Sequence, residues 1–197
     1  KVTSDDENLI KYQEFCKKYL GQKIDYELGE DSFTVSAEEL STMFDSSLSG
    51  KASTEGVKEY VKQLAEKYNT VGIERTFETL AGKKITVKGG TYGWKIDQEK
   101  EIETIMQEMI AGVQINREPV YAMRANARGM NDIGNTYIEV DLSAQHLYYY
   151  QDGSIILESD IVSGDMQYVE RQTPPGIFQL YYKKSPSVLK GKMLENG

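Results

Sequence analysis

The sequence contains very few of the residues that most often carry nucleophilic or metal chemistry. Its 197 residues include one cysteine, Cys16, and one histidine, His146. A single cysteine excludes an internal disulfide, and one histidine with one cysteine leaves only carboxylates as further metal ligands. The acidic stretch from Asp25 to Asp31 lacks the Gly and Asx pattern of a calcium loop. We therefore predict that the chain holds no metal and no cofactor.

Long apolar runs and clusters of basic residues are missing as well. No uninterrupted apolar run is long enough to span a bilayer, and the N-terminus lacks the apolar core of a signal peptide. The net charge is −8, from 23 Lys and Arg against 31 Asp and Glu. Nucleic acids and anionic membranes attract basic patches, so we predict neither as a partner. The composition, 39% hydrophobic and 27% charged, is typical of a globular protein of one or two domains.

Helical periodicity is the main signal in the first part of the chain. The clearest apolar stripe lies at i, i+3, i+4, i+7, i+8 and i+11, formed by Val57, Tyr60, Val61, Leu64, Ala65 and Tyr68. A second stripe predicts a helix over residues 7–20. Ser36 followed by Glu39 is a capping-box signature, which predicts a short helix that runs to about Phe44.

A further helix is predicted over residues 98–111, where Asp97 can cap the start and Gly112 the end. Its predicted buried face consists of Ile102, Ile105, Met106, Met109 and Ile110. Strand signals surround these helices, at residues 22–28, 32–35, 74–80, 84–87 and 91–96. The first region, residues 8–115, is therefore predicted to be α+β, with helices packed on a modest antiparallel sheet.

The second region carries strand signals without helical ones. Residues 136–141, 145–150 and 154–163 read as strands, and Asp152-Gly153 supplies the turn between the last two. The stiff loop Thr173-Pro174-Pro175-Gly176 follows, and residues 177–182 resume strand character. This pattern predicts an antiparallel all-β module.

The second region also resembles a known family. The series Ile133-Gly134-Asn135-Thr136, Ile161-Val162-Ser163-Gly164 and Thr173-Pro174-Pro175-Gly176-Ile177-Phe178, in this order and spacing, is similar to the opening half of the L,D-transpeptidase catalytic domain. The resemblance implies a later Ser-His-Gly-Cys segment that holds the nucleophilic cysteine and its histidine. The sequence reaches Gly197 before such a segment. We therefore expect a truncated, inactive catalytic domain with no catalytic residue inside the 197 residues.

The first region resembles a domain that precedes this catalytic domain in many Gram-positive L,D-transpeptidases. The similarity rests on Ala65-Glu66-Lys67-Tyr68-Asn69-Thr70, Arg75-Thr76-Phe77, Gly89-Gly90 and Tyr92-Gly93-Trp94-Lys95-Ile96-Asp97. It implies a peptidoglycan-binding domain at residues 8–115, a linker at 116–133 and the first half of an all-β sandwich at 134–197. It further implies an extracellular protein of the cell wall or cell surface, with a parent that could be membrane-anchored upstream of Lys1.

Candidate binding residues are aromatic or lie in the stiff loop. Tyr92 and Trp94 project to one face of a predicted strand, and such rings can stack on sugars or line a peptide groove, although they more often fill cores. Thr173 belongs to the family motif. We take Tyr92, Trp94 and Thr173 as candidate substrate-binding residues, with peptidoglycan stem peptides or glycan as the implied partner.

Other site hypotheses are weaker on the sequence alone. Cys16 and His146 fall in different predicted regions, so a buried thiol and a strand histidine explain them better than a catalytic dyad. Glu139 and Asp141 share a strand face and could form a glycosidase pair, but alternating charge on a solvent face is the simpler interpretation. The leading hypothesis is a cell-wall L,D-transpeptidase parent, and the alternative is a non-catalytic peptidoglycan-binding or scaffolding module.

Overall fold

The computed structural model describes residues 7–18, 21–29, 31–45, 47, 51–78, 82–112, 114–129 and 132–188. The elements of the first region are, in chain order, α1 (Glu7–Lys18), β1 (Ile24–Leu28), β2 (Asp31–Thr34), α2 (Ala37–Thr42), α3 (Thr54–Tyr68), β3 (Arg75–Glu78), β4 (Lys84–Val87), β5 (Lys95–Ile96), α4 (Gln98–Ala111), β6 (Ile115–Arg117) and β7 (Tyr121–Met123). The second region has β8 (Tyr137–Asp141), β9 (His146–Gln151), β10 (Ser154–Asp160) and a 3₁₀ turn, Val169–Arg171. None of the helices described is long and apolar enough to cross a bilayer.

The observed architecture confirms an α+β region followed by a β-sheet region. The core of the first region is built around α3, which buries Val57, Tyr60, Val61, Leu64 and Ala65 as predicted, while Tyr68 is partly buried against them. Helix α4 packs on α3, and β1 contributes Ile24 and Tyr26 to the same core. The predicted helical stripe of α3 is therefore the seam that joins helices and sheet.

The predicted buried face of α4 is wrong at one residue. Ile105 and Met109 are buried and Ile102 and Met106 are partly buried, but Ile110 is 79% exposed. A carboxylate, Glu101, lies in the seam instead, with none of its surface exposed. Residues 101, 105 and 109 are spaced by four, so they form the narrow stripe that faces the core.

Hydrogen bonds explain why a carboxylate can occupy this seam. Glu101 accepts from the Tyr26 hydroxyl, from Arg117 Nη1 at 3.0 Å and from the Val120 backbone N–H at 2.6 Å. Arg117 also binds Glu108, so one arginine holds two carboxylates of α4. A buried charge is tolerated when it is paired and hydrogen-bonded, as this one is.

The sheets of the first region are smaller and less uniform than predicted. The order is β2-β1-β6, and β1 pairs antiparallel with β2, as predicted, but parallel with β6, where the prediction of an antiparallel sheet is wrong. The parallel pairing is possible because the long crossover from β1 to β6 contains α3 and α4. Two further antiparallel pairs, β3-β4 and β5-β7, complete the region. Strand β7 lies inside the segment predicted to be a linker.

The second region is one antiparallel sheet in the order β10-β9-β8. The predicted turn is confirmed, with φ of 50° at Asp152 and 78° at Gly153. Strand β10 ends at Asp160 rather than at residue 163. The strand predicted over 177–182 is wrong: Ile177 forms an isolated bridge to Gly90, and the following residues have no ladder. Residues 189–197, the end of the predicted catalytic portion, lie outside the described residues.

The capping box predicted at the start of α2 is present and gives a first testable effect. Ser36 Oγ accepts from the Glu39 N–H at 3.2 Å, and Glu39 Oε2 accepts from the Ser36 N–H at 2.8 Å. We expect Ser36→Ala to lower the free energy of unfolding by about 1 kcal/mol at neutral pH, measured by urea titration. Ser41→Ala, on the exposed side of the same helix, is the matched control and should change it by less than about 0.5 kcal/mol.

The same cap predicts a pH dependence with a defined sign. The hydrogen bonds from the Ser36 side chain and backbone lower the pKa of the Glu39 carboxyl. A carboxyl whose pKa is lowered by folding stabilises the fold above its unfolded pKa, and that contribution disappears as the pH falls through the folded pKa. The destabilisation by Ser36→Ala should therefore shrink towards about pH 3. An effect that grows at acid pH would contradict the assignment.

Candidate functional site

A buried ion pair between Arg75 and Asp132 fixes the connecting segment to the first region. Arg75 Nε donates to Asp132 Oδ1 at 2.7 Å and Nη2 donates to Oδ2 at 2.8 Å, while the two side chains are only 3% and 1% exposed. The Thr70 hydroxyl donates to Asp132 Oδ2 at 2.7 Å, and the Thr70 carbonyl accepts from Arg75 Nη2 at 2.7 Å. This bidentate pair ties the loop after α3 to the segment that leads into β8.

Tyr92 and Trp94, two of the candidate binding residues, lie beside this pair and are each 7% exposed. The Tyr92 hydroxyl donates to the Asp132 carbonyl at 2.8 Å and accepts from the Asn126 N–H at 2.7 Å. Burial raises the pKa of Tyr92. Trp94 Nε1 donates to the Ala127 carbonyl at 2.8 Å. Both polar tips are engaged within the protein, so these residues can offer a ligand only ring surface.

Gly93 allows this loop to approach the end of α3. Its φ is +146°, and a Cβ there would lie 2.7 Å from the Thr70 carbonyl carbon and from the Val71 nitrogen. The Trp94 N–H donates to Thr70 Oγ1 and the Thr70 N–H donates to the Trp94 carbonyl, both at 2.8 Å. Residues that carry the family resemblance of the first region thus converge on one hydrogen-bonded junction.

A backbone clasp connects the two regions. The Ile177 carbonyl accepts from the N–H groups of Thr91 at 2.9 Å and Tyr92 at 3.0 Å, and the Ile177 N–H donates to the Gly89 carbonyl at 3.2 Å. Gly90 sits under this contact with φ of +88°, and a Cβ on it would lie 2.0 Å from the Ile177 oxygen. The glycine pair is required by this close approach, since any side chain at residue 90 would collide with the backbone of the other region.

Thr173, the third candidate binding residue, closes a loop of the second region. Its Oγ1 accepts from the Gly164 N–H at 2.8 Å, and its side chain is half-buried. Gly164 is needed at this point because a Cβ would lie 1.9 Å from the Arg171 carbonyl oxygen. The Thr173 hydroxyl keeps its proton available for another acceptor.

A groove lies next to Trp94 on the described surface. It has a volume of about 470 Å³ and is lined by Leu28, Asp31, Ser32, Phe33, Lys67, Tyr68, Thr70, Trp94, Arg128 and Gly129. Phe33 and Tyr68 are stacked, with ring centroids 5.0 Å apart. The groove therefore combines aromatic surface with two cations, Lys67 and Arg128. Tyr92 and Thr173 are not among its lining residues.

Sequence reasoning found Trp94 but missed Arg128 and Lys67. Arg128 lies in a segment that reads as an irregular linker, and no periodicity relates it to Trp94, 34 positions earlier in the sequence. Lys67 looks like an ordinary solvated residue on the polar side of α3. Their place on one groove depends on pairings such as β5-β7, which join distant parts of the chain.

The residues considered for catalysis in other classes make contacts of other kinds. Cys16 packs against the core of the first region, and no hydrogen bond joins it to His146, whose Nδ1 lies 2.9 Å from Asp160 Oδ1. Asp141 accepts from the Ala144 and Ser143 N–H groups of its own turn, which lowers the pKa of its carboxyl. A glycosidase acid needs the opposite shift.

Side chains of the types that bind metals do not cluster in the part of the chain that the structure covers. There, no group of three or more His, Cys, Asp or Glu side chains could hold a metal ion.

Comparison with known proteins matches both regions. The family model described as "Putative peptidoglycan binding domain" matches residues 2–116, and the YkuD model, described as the L,D-transpeptidase catalytic domain, matches residues 135–193. The solved structure of the Ldtfm–avibactam carbamoyl enzyme is 32% identical with a TM-score of 0.68, over 93% of this chain and 71% of that chain. A crystal structure of a cysteine-to-serine mutant of Enterococcus faecium L,D-transpeptidase is 31% identical with a TM-score of 0.58, over 87% of this chain and 66% of that chain. No curated protein matches the sequence.

These findings define a peptidoglycan-binding domain followed by an L,D-transpeptidase catalytic region. The chain belongs to the L,D-transpeptidase family, as both family resemblances in the sequence indicated. The matched catalytic region contains the β8–β10 sheet, the Thr173 loop and the Ile177 clasp.

Proposed function

We propose that this chain is part of a cell-wall L,D-transpeptidase that cross-links peptidoglycan stem peptides outside the cell membrane of a Gram-positive organism. The observation that carries the proposal is the physical union of the two matched regions. The Arg75–Asp132 pair holds the connecting segment on the peptidoglycan-binding domain, and the Ile177 clasp holds the catalytic region against that domain, so a bound wall polymer stays next to the reacting groups.

The chemistry proposed for the parent enzyme is acyl transfer through a cysteine. The thiolate attacks the carbonyl carbon of the amide after the third residue of a stem peptide. The C–N bond breaks, and the terminal D-alanine leaves with a proton on its amine. An amine of a neighbouring stem then attacks the thioester, so that a new amide forms and the thiolate is regenerated. A histidine close to the sulfur would carry the proton in both steps.

Cys16 is not the cysteine of this proposal. It lies on α1 and packs against the core of the peptidoglycan-binding domain, where no histidine contacts it. We propose that the nucleophile and its histidine belong to a part of the catalytic domain outside the 197 residues, which the greater length of the Ldtfm chain supports. On this proposal the 197-residue chain binds peptidoglycan without turning it over.

The arrangement of the parent is part of the same proposal. We assign peptidoglycan binding to residues 8–115, a connection to 116–133 and the catalytic portion to 134–197, with the parent anchored in the membrane upstream of Lys1. Strand β7 pairs with β5, so the connection is packed on the binding domain rather than free. Trp94, Tyr92 and Thr173 are the proposed substrate-binding residues, and Trp94 is the one that borders the groove lined by Phe33 and Tyr68.

The alternative is a non-catalytic module that binds or organises peptidoglycan. The match of residues 2–116 to a peptidoglycan-binding family favours it. The two proposals differ in whether any form of the protein reacts covalently with an inhibitor that acylates enzymes of this family.

The intact mass after incubation with avibactam separates these proposals. Avibactam carbamoylates the similar enzyme Ldtfm. We expect the full-length protein to gain the mass of one bound inhibitor. The 197-residue chain and its Cys16→Ser variant should gain no mass. An adduct on the chain that is lost in Cys16→Ser would make Cys16 reactive and contradict its assignment. No adduct on the full-length protein would support the binding module.

A further inference from the structure

The turn between β8 and β9 contains a glutamine in a backbone conformation that is unfavourable for its residue type. Gln145 has a φ of +55°, in the left-handed region that glycine occupies without penalty. The Gln145 backbone carbonyl accepts from the Ile161 N–H at 2.9 Å, a bond that glycine could make equally well. A strained residue at a position that suits glycine indicates that its side chain has a role of its own.

The Gln145 side chain bonds with its nitrogen and with its oxygen. Nε2 donates to Ser163 Oγ at 2.7 Å and to the Leu142 carbonyl, and Oε1 accepts from the Ser163 N–H at 2.8 Å. These partners define the orientation of the amide, because the Ser163 N–H can only donate and the Leu142 carbonyl can only accept. Gln145 therefore clamps the segment that follows β10 to the β8–β9 turn.

One further hydrogen bond extends this clamp to Thr173. Gly164, the residue after Ser163, donates its N–H to Thr173 Oγ1 at 2.8 Å. The Thr173 hydroxyl donates to no acceptor among the described residues, and Pro174 and Pro175 restrict the backbone that follows it. The result is a half-buried hydroxyl whose oxygen is fixed and whose proton can be donated to a ligand.

The segments around this hydroxyl, residues 141–145 and 160–173, carry more negative than positive charge. Their carboxylates are those of Asp141, Asp160, Asp165 and Glu170. The cations nearby are Arg171 and Lys83, which acts on Asp141. His146, when protonated, is paired with Asp160 and with one more carboxylate, Glu158. An anionic ligand would be repelled here, so a neutral carbonyl is the acceptor that fits.

We propose that Gln145 is a positioning residue of the catalytic region, which acts through Ser163 and Gly164 to hold the Thr173 hydroxyl as a donor to a backbone carbonyl of a bound stem peptide. Gln145 itself touches no substrate. This inference rests on the proposed transpeptidase function. It adds the group that Thr173 recognises and the residue that keeps Thr173 in place.

NMR titration of the isotope-labelled 197-residue chain tests this site directly, because the Gly164 amide is bonded to Thr173. The ligands are a soluble disaccharide-tetrapeptide, the same compound after its carboxylates are converted to carboxamides, and the disaccharide without peptide. We expect a saturable shift of the Gly164 signal with the first two, with affinities within about two-fold of each other, because a neutral carbonyl is recognised. The disaccharide should not shift this signal.

Substitutions of Thr173 test the hydroxyl itself. Thr173→Val removes the hydroxyl with little change of shape and should weaken binding of the disaccharide-tetrapeptide by about three- to ten-fold. Thr173→Ser keeps a hydroxyl and should restore most of that loss. Gln151→Asn, at an exposed glutamine on the other end of β9, is the control and should stay within about two-fold of the unmodified chain. Thermal unfolding confirms that each variant is folded.

Substitution of Gln145 separates positioning from a role in the turn alone. Gln145→Gly relieves the left-handed strain but removes the clamp, so binding should weaken by about three- to ten-fold although the turn is preserved. In a chain that already carries Thr173→Val, the same change should weaken binding by less than about two-fold more, because both substitutions act on one bond.

Three results would overturn the assignment: no shift of the Gly164 signal, unchanged affinity in Thr173→Val, or full effects of both substitutions in the double variant. Sedimentation with insoluble peptidoglycan is measured on the same samples. If the chain sediments but the Gly164 signal does not shift, the proposed wall binding stands and the assignment of Gln145 and Thr173 fails. If the signal shifts as expected but the chain does not sediment, the assignment stands and the wall-binding function fails.

Discussion

Asp132→Ala is expected to lower the free energy of unfolding by about 3–5 kcal/mol, the largest effect that we predict for a single substitution. The change leaves the Arg75 guanidinium buried, with its side chain 3% exposed and its carboxylate partner removed. Thr70 loses the acceptor of its hydroxyl, Asp132 Oδ2, whereas the Tyr92 hydroxyl keeps its acceptor, the backbone carbonyl of residue 132. Urea or thermal unfolding followed by circular dichroism measures the change.

Two further variants show whether the effect arises from an unpaired buried charge. The double variant Arg75→Met with Asp132→Leu replaces the pair by apolar side chains and should recover most of the lost stability, since such replacements are often close to neutral. Glu59→Ala, which removes one side of an exposed pair with Lys62, should cost less than about 0.5 kcal/mol. A double variant as unstable as Asp132→Ala alone would show that shape or hydrogen bonding, rather than charge, dominates this junction.

Gly90→Ala is expected to open the clasp between the two regions. Its Cβ would lie 2.0 Å from the Ile177 carbonyl oxygen, which belongs to backbone and cannot rotate away. The amide hydrogens of Thr91 and Tyr92 are both bound to that oxygen. We expect their hydrogen exchange to accelerate by about ten-fold or more, because an opened clasp exposes them to water.

Gly89→Ala is a control matched in both sequence and backbone conformation. Gly89 has φ of +86° and Gly90 has φ of +88°, but a Cβ at Gly89 meets nothing within 4 Å. Both substitutions carry the cost of a left-handed conformation, about 1–2 kcal/mol, and only Gly90→Ala adds the collision. Equal exchange rates in the two variants would mean that backbone strain, and not docking of Ile177, explains the effect.

Local features of this fold were predictable from the sequence, whereas long-range ones were not. The α3 stripe, the Ser36 capping box and the Asp152-Gly153 turn each depend on residues a few positions apart, and all three are confirmed. The burial of Glu101 depends on Tyr26, which lies 75 positions away in the sequence, so no local pattern reveals it. The parallel pairing of β1 with β6 likewise joins residues that are far apart in the sequence, so local patterns do not predict it.

In the candidate site, too, local features could be predicted from the sequence and long-range contacts could not. The motif that contains Trp94 could be recognised as a unit, because its residues are neighbours in sequence. Arg128, which stacks on the Trp94 ring, comes close to it only when the chain folds. The same is true of the contacts between Asp132 and Arg75 and between Ile177 and Gly90. Sequence resemblance therefore indicated the family, while the groove, the Arg75–Asp132 pair and the Ile177 clasp required the structure.

Sedimentation of the 197-residue chain with purified, insoluble peptidoglycan is the first experiment to make. We propose that residues 8–115 bind the wall polymer and that their junction with the second region holds the catalytic portion next to it. We expect the chain to pellet with peptidoglycan in a saturable manner, and soluble disaccharide-tetrapeptide to release it. A chain that remains in the supernatant at every peptidoglycan concentration, while its unfolding curve shows that it is folded, would contradict wall binding by this domain.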